Sequence, residues 1–580
     1  SARGSIRRPW DARLLVVPGL LLLACSSAPG SANRDAATET LGEAGAPEAA
    51  EAPLDEATDG GGDVAPTDDG GLIPGAPLPA GVAPPVLLLD DGAQLAAFDE
   101  KTCSHQDPSP DKTDRWCAFT RPGPAAGLAD LWVINATVAA TGQVPVCDGS
   151  DANCLRLTRT LALTAGAFFE GDTLLYYADP MPVAGGEFLG RIWGWRPGWP
   201  VGRSLTSERG ILCFGHLHAA VAGCLDDPVG DPARRDKVTV RAGALTGPSA
   251  DPLPALAGQW ALRNDNLAIW QAGFSPDGET FAFSNADQVD GAVTLKTVAT
   301  RDVAGATPQP SIVDLLRWTV SNDGQKIYFF RGQTDTATLY VADFPTGAAE
   351  QLIQSSVNSF ALIGDRPGDQ AVGLLQEPPA AGRRSFQLLR DRSGGPPGTI
   401  FTYSDALEGL RVSTDLRYTL WLDSSFRARL VTNDTLDVCE LNPAGERGIF
   451  GPTMLNGGGL LFWSQSVPSP PGRRDGYFAA PQTCHDKQRF AGAVDFYLPI
   501  GDRGLVFGDE RDGIAETVTL KYIAVSADGT GLSSEGPFRI AEAVKSPIVR
   551  VGTDPLLLMF RTAKTADHEP GTYIFGPVPF

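Results

Sequence analysis

Over most of the chain, short apolar runs alternate with turn residues. The clearest case is Ala268-Ile-Trp270, then Gly273-Phe-Ser-Pro-Asp277-Gly278, then Phe281-Ala-Phe283. Asp-Gly between two apolar runs predicts a β-hairpin, because glycine takes the positive φ of a tight turn at no steric cost. The design returns at Trp318-Thr-Val-Ser-Asn-Asp323-Gly324 before Ile327-Tyr-Phe-Phe330. It returns at Pro367-Gly-Asp369 before Ala371-Val-Gly-Leu-Leu375, and at Val412-Ser-Thr-Asp415 before Tyr418-Thr-Leu-Trp421. Asp277, Asp323, Asp369 and Asp415 stand 46 residues apart at each step. A register held over four copies predicts a repeat.

Looser copies extend it both ways. Gly171-Asp172 precedes Leu174-Leu-Tyr-Tyr177, Asn456-Gly457 precedes Leu460-Leu-Phe-Trp463, Gly501-Asp502 precedes Leu505-Val-Phe507, and Asp554-Pro555 precedes Leu556-Leu-Leu-Met-Phe560. Irregular hairpins are expected near Arg115 to Phe119 and Ile211 to Leu225. Many units add a third strand, such as Leu131-Trp-Val-Ile-Asn135, Arg191-Ile-Trp-Gly-Trp195 or Val518-Thr-Leu-Lys-Tyr522. A short fourth follows in several, as in Leu155-Arg-Leu-Thr158, Arg203-Ser-Leu-Thr206 and Glu350-Gln-Leu-Ile353.

Four short antiparallel strands per 42–55 residues predict a propeller blade. One such sheet cannot bury its faces, so the blades must stack in a ring. The expected fold is all-β: a propeller of four-stranded antiparallel blades over residues 85–580, with eight to ten blades. Two smaller propellers are the alternative. The last unit lacks an obvious fourth strand, which Val86-Leu-Leu-Leu-Asp90 is expected to supply.

The motif F-S-P-D-G before an apolar strand, followed by L-Y-V-x-D, resembles the WD40-like repeats of the TolB propeller class. Phe274 to Phe283 matches most closely, and Thr319 to Phe330 with Leu339 to Asp343 matches well. The resemblance implies a periplasmic β-propeller that makes protein contacts. TolB itself carries an N-terminal α/β domain before its propeller; here an expected disordered tether takes that place.

The N-terminus changes the picture. Arg3, Arg7, Arg8 and Arg13 precede Leu14 to Ala24, an apolar run of 11 residues. That is shorter than the roughly 20 residues that span a bilayer, and it predicts an export signal over 1–24. Leu22-Leu-Ala-Cys25 resembles a bacterial lipobox, which implies acylation of Cys25. Several acyl chains, at about 0.8 kcal/mol per buried CH₂, would hold the chain on a membrane. Ser26 after the cysteine is expected to direct it to the outer membrane. Residues 26–84 hold 11 acidic residues and one basic residue, with few large apolar ones. Such a stretch cannot offset its ordering entropy, so 25–84 is expected to be a disordered, lipid-tipped tether.

Gly (66) and Pro (47) make up nearly a fifth of the 580 residues, which argues against long helices. The net charge is −22, of which residues 85–580 carry −15. That excludes general nucleic-acid binding. Cys103, Cys117, Cys147, Cys154, Cys213, Cys224, Cys439 and Cys484 are an even set in an exported chain, so disulfides are expected. Local pairing joins Cys103 to Cys117, Cys147 to Cys154 and Cys213 to Cys224, leaving Cys439 and Cys484, 45 residues apart.

Catalytic signatures are scarce. Gly273-Phe-Ser275-Pro-Asp277 fails the last position of the G-x-S-x-G elbow, and no P-loop, H-E-x-x-H or dinucleotide fingerprint occurs. His216 and His218, two apart on one strand face, are the sole metal candidates, with Asp226 or Asp227 as a third ligand. The reading of two plain polar residues is preferred, and no cofactor or metal is expected. Trp193, Trp195 and Trp199, with Arg191 and Arg196, suit stacking on a sugar or clasping a protein, and equally suit a core. Function is expected from long loops at 103–128, 226–237 and 465–475. The chain reads as a non-catalytic, lipid-anchored propeller of a bacterial envelope that binds a protein partner. The alternative is an envelope enzyme or glycan-binding protein.

Overall fold

The computed structural model describes residues 75–578 apart from internal segments, the longest being 105–113, 228–237 and 261–271; it describes 356–412 by backbone alone. Strands pair antiparallel in chain order, four to a sheet. Residues 94–162 form blade one, 167–204 blade two, 272–312 blade four, 318–357 blade five, 359–404 blade six, 406–440 blade seven and 449–491 blade eight. Blade three has three strands over 209–244. Its fourth place is taken by 255–260, through bridges from Arg241 to Ala255 and from Val238 to Trp260.

Blades nine and ten form one seven-stranded sheet because Phe538–Val551 serves both. Up to Val544 it pairs with Thr517–Ala524 of blade nine, and from Val544 onward with Leu557–Thr562 of blade ten. The chain is thus an all-β propeller, with ten four-stranded blades among the described residues, at the top of the expected range. Val86–Asp90 pairs with Gly571–Phe575, Val86 opposite Ile574 and Asp90 opposite Gly571. The first described strand therefore completes the last blade, as anticipated.

The Asp-Gly signal becomes a defined turn between the first and second strands of a blade. In blade four the Ser275 hydroxyl donates to Asp277 and accepts from the Thr280 N–H at 2.9 Å, and Asp277 Oδ1 accepts from the Glu279 N–H at 2.9 Å. Gly278 has φ +74°, where a side chain would be strained and would run into Ala219 of blade three. Blade five repeats the arrangement, with Ser321 to Asp323 at 2.6 Å, Ser321 to the Lys326 N–H at 2.8 Å, and Gly324 at φ +72°. In blade seven Ser413 accepts from the Tyr418 N–H at 2.9 Å. Asp369 and Asp415 lie outside the described residues. In blades four, five and seven a serine hydroxyl closes the turn, in the first two together with the Asp-Gly pair.

Apolar runs with no polar alternation become strands buried on both faces. Leu128–Asn135 and Leu461–Ser466 are such strands. One cluster joins blades one and two through Trp116, Leu131, Phe169 and Trp195. Others join three to four, four to five, seven to eight and eight to nine. Leu88, Leu89, Val551, Leu557 and Ile574 pack with Leu95 and Ile134, so blade ten closes on blade one.

Two sequence boundaries shift. The segment from Gly75 to Pro84, read from composition as tether, lies along blade nine: Ala76 N–H donates to Pro537 O and Arg539 N–H to Ala76 O, both at 2.8 Å. Leu78 and Val82 pack into the core there. Two apolar anchors suffice, and average composition hides them. The supposed loop 103–128 contains the strand Trp116–Pro122, held by Gln94–Leu95 and Leu128–Asn135. Its loop parts are the stretch before Trp116 and the short connection 123–127, of which 105–113 and 126 are outside the described residues.

Candidate functional site

His216 sits in the turn between Arg209–Gly215 and Val221–Asp227 of blade three. It is buried, its Nδ1 accepts from the Ala219 N–H at 2.7 Å, and its Nε2 lies 3.0 Å from Ser275 O. An accepting Nδ1 makes the ring neutral with its proton on Nε2, which donates to Ser275. The ring therefore fastens blade three to the Ser275 turn of blade four, with both nitrogens engaged by backbone. Asp226 is buried and held by Arg241 and Ser207. His218 lies outside the described residues, as do His105, His485 and His568. Among the described residues no group of three metal-ligating side chains gathers.

The tryptophans separate by depth. In blade two, Thr173–Pro182 pairs with Phe188–Trp195, placing Leu174 opposite Trp195, Tyr176 opposite Trp193, and Ala178 opposite Arg191 on one face. Trp195 is fully buried: it meets Trp116 of blade one edge to face at 5.3 Å, and its Nε1 donates to Trp199 O at 2.8 Å. It belongs to the core. Trp199 packs at the edge of that core. Arg191 is exposed at the far end of the face. Trp193 alone of the group stands half-buried beside open space.

That space is a cavity of about 570 Å³ between blades one and two, capped by the segment after blade three. Tyr176 and Trp193 supply aromatic surface, Leu157 and Val201 aliphatic surface, and Thr158, Asp179 and Ser249 polar groups. Burial raises the Tyr176 phenol above its ordinary value, so it stays protonated. Asp179, on the strand bearing Tyr176, accepts from the Thr160 hydroxyl at 3.0 Å. Thr160 in turn meets Thr158 at 3.0 Å. Gly202 lies against the Tyr176 hydroxyl, in the place a Cβ would fill.

Of the loops expected to carry function, 228–237 and 467–473 lie outside the described residues. Asp226 and Asp227 end one strand, while Gln465 and Arg474 belong to strands of blade eight. The four disulfides are formed as Cys103–Cys117, Cys147–Cys154, Cys213–Cys224 and Cys439–Cys484. The first and third are cross-strand neighbours, with Cα atoms 4.0 and 4.1 Å apart, and the fourth joins blade seven to blade eight. Cys25 lies outside the described residues.

One polar cluster was missed. Lys521 in blade nine is 1% exposed and contacts Asp509 at 2.9 Å and Glu510 at 2.7 Å. Burial pushes the Asp509 carboxyl up to about 6, against the pull of Lys521. The less buried Glu510 is lowered by hydrogen bonds and the charge of Lys521, which outweigh its own desolvation. A lysine inside the apolar run Val518 to Tyr522 was the available signal, since a charge on a doubly buried strand needs a partner.

No family model and no curated protein matches the chain. Solved structures are similar in sheet arrangement. A eukaryotic initiation factor is 8% identical with a TM-score of 0.40, covering 73% of this chain and 97% of that one. Prolyl oligopeptidase B from Galerina marginata is 9% identical with a TM-score of 0.32, covering 61% of this chain and 53% of that one. The β-propeller domain of the Trilobed protease from Pyrococcus furiosus is 10% identical with a TM-score of 0.26, covering 52% and 91%. Likenesses this distant carry nothing about chemistry.

Proposed function

We propose that the chain is an exported, lipid-anchored β-propeller of a bacterial envelope that binds a partner and performs no chemistry on it. One observation carries the binding reading. Among the described residues, His216 and Ser275 are spent on a joint between blades and Asp226 on Arg241, while Trp193 faces open space. The four disulfides support an oxidising compartment. The lipobox-like Leu22 to Cys25 supports the anchor, and the motif over Phe274 to Phe283 supports a TolB-like repeat whose partners include an envelope protein.

Cys25 carries the anchor in this reading. The full chain, expressed in a bacterium fed an alkyne fatty acid, is expected to take up the label and sediment with membranes. Cys25→Ala is expected to abolish labelling. An unlabelled wild-type chain, or an equally labelled variant, would remove the anchor.

A further inference from the structure

We propose that the cavity between blades one and two is a saccharide subsite. It takes a neutral sugar ring whose C–H face lies on the Trp193 indole and whose hydroxyls meet Asp179, Thr158 and Ser249. The proposal rests on the binding-module reading and names its ligand class.

Depth along the sheet face is the first ground. Leu174 and Trp195 form one cross-strand pair and Tyr176 and Trp193 the next, so each pair flanks the other on one face. The inner indole is consumed by the core and by its hydrogen bond to Trp199 O. The outer indole meets the cavity instead. The half-buried Trp193 indole borders about 570 Å³ of open space, a size typical of small-molecule sites at roughly 300–1,000 Å³.

The second ground is the mixture of groups. A sugar ring presents an apolar C–H patch on one face and hydroxyls around its edge. Trp193 offers a flat apolar surface with a negative π face, suited to polarised C–H groups. Asp179 is the one charged side chain among the lining residues. A carboxylate oxygen has two acceptor positions, so Asp179 can accept a sugar hydroxyl beside the bond it takes from Thr160. Thr158 and Ser249 can donate or accept as a hydroxyl edge requires. No cationic side chain lines the cavity among the described residues, and residues 85–580 carry −15, so an anionic sugar acid is disfavoured. Gly202 keeps the cavity floor thin, because a side chain there would displace the Tyr176 hydroxyl.

The test uses the full chain and a panel of neutral glucose, mannose, galactose and N-acetylglucosamine oligomers, read by calorimetry and saturation-transfer NMR. At least one should bind saturably, with NMR contact to the C–H face of a ring. Trp193→Ala should weaken binding by about tenfold or more. Because Trp193 also packs at the edge of a core cluster, Val201→Trp provides the control. Val201 is exposed at the rim, so the variant should melt like wild type yet block binding. No binding across the panel, equal binding by both variants, or preference for choline or a sugar acid would overturn the proposal.

A photo-crosslinking residue at position 201 separates the two readings in cells. A protein adduct without saccharide binding overturns the saccharide and leaves the binding module standing. Neither adduct nor saccharide binding removes both.

Discussion

Ser275 and Asp277 hold their turn by dividing the work. The hydroxyl satisfies the Thr280 N–H and donates to Asp277, whose carboxylate satisfies the Glu279 N–H. The Ser275 hydroxyl first, then the Glu279 N–H, hold the Asp277 carboxyl below its ordinary range. The unfolded chain binds this proton more readily than the folded one. The stability it contributes is present above the unfolded value near 4 and is lost as pH falls through the lower folded value. Asp277→Asn should therefore flatten the acid limb of stability below about pH 4, measured by urea melts from neutral pH to about pH 2.5. An unchanged limb would show that this carboxylate is not protected by its turn.

Blades are joined by covalent as well as apolar contacts. Cys439, on the outermost strand Val438–Glu440 of blade seven, bonds Cys484 after the short 3₁₀ turn Pro481–Thr483 of blade eight. The bond closes a loop of 45 residues across a blade boundary. Loops of this length confer about 2–4 kcal/mol by restricting the unfolded chain. The Cys439→Ala/Cys484→Ala double variant should lose about that much in denaturant melts, and reduction of wild type should add a loss from the other three bonds. A variant as stable as wild type would mean that the Leu420, Leu461 and Trp463 cluster alone sets this boundary.

For the whole molecule the decisive contact is between the two ends of the described chain. Val86–Asp90 is the fourth strand of blade ten, and Leu88 and Leu89 are buried against residues of blades ten and one. Each Leu→Ala change there is expected to cost about 2–5 kcal/mol. Deleting 86–90 removes a strand and both leucines together. The variant should melt at lower denaturant with a broader transition, and protease should cut first near Gly571–Phe575, where the partner edge is uncovered. Retention of a single sharp transition would show that the ring does not depend on this closure.

What could be read from the residues was what depends on near neighbours. A hairpin turn is decided within six residues, so Asp277-Gly278 and Asp323-Gly324 announced their turns, and their spacing announced the repeat. Val86 to Asp90 was legible because the last unit was one strand short. Cys213 and Cys224 were legible because a hairpin places them side by side. Tertiary structure decided whatever depends on which blades touch. It made Phe538–Val551 serve two blades, since one extended strand can satisfy the Thr517–Ala524 edge with its first half and the Leu557–Thr562 edge with its second. It joined Cys439 to Cys484, turned His216 into a joint with Ser275, and buried Lys521 against Asp509. It also separated Trp195 from Trp193. Alternation puts both on one face, but only the depth of the neighbouring blade leaves one in the core and the other at a cavity.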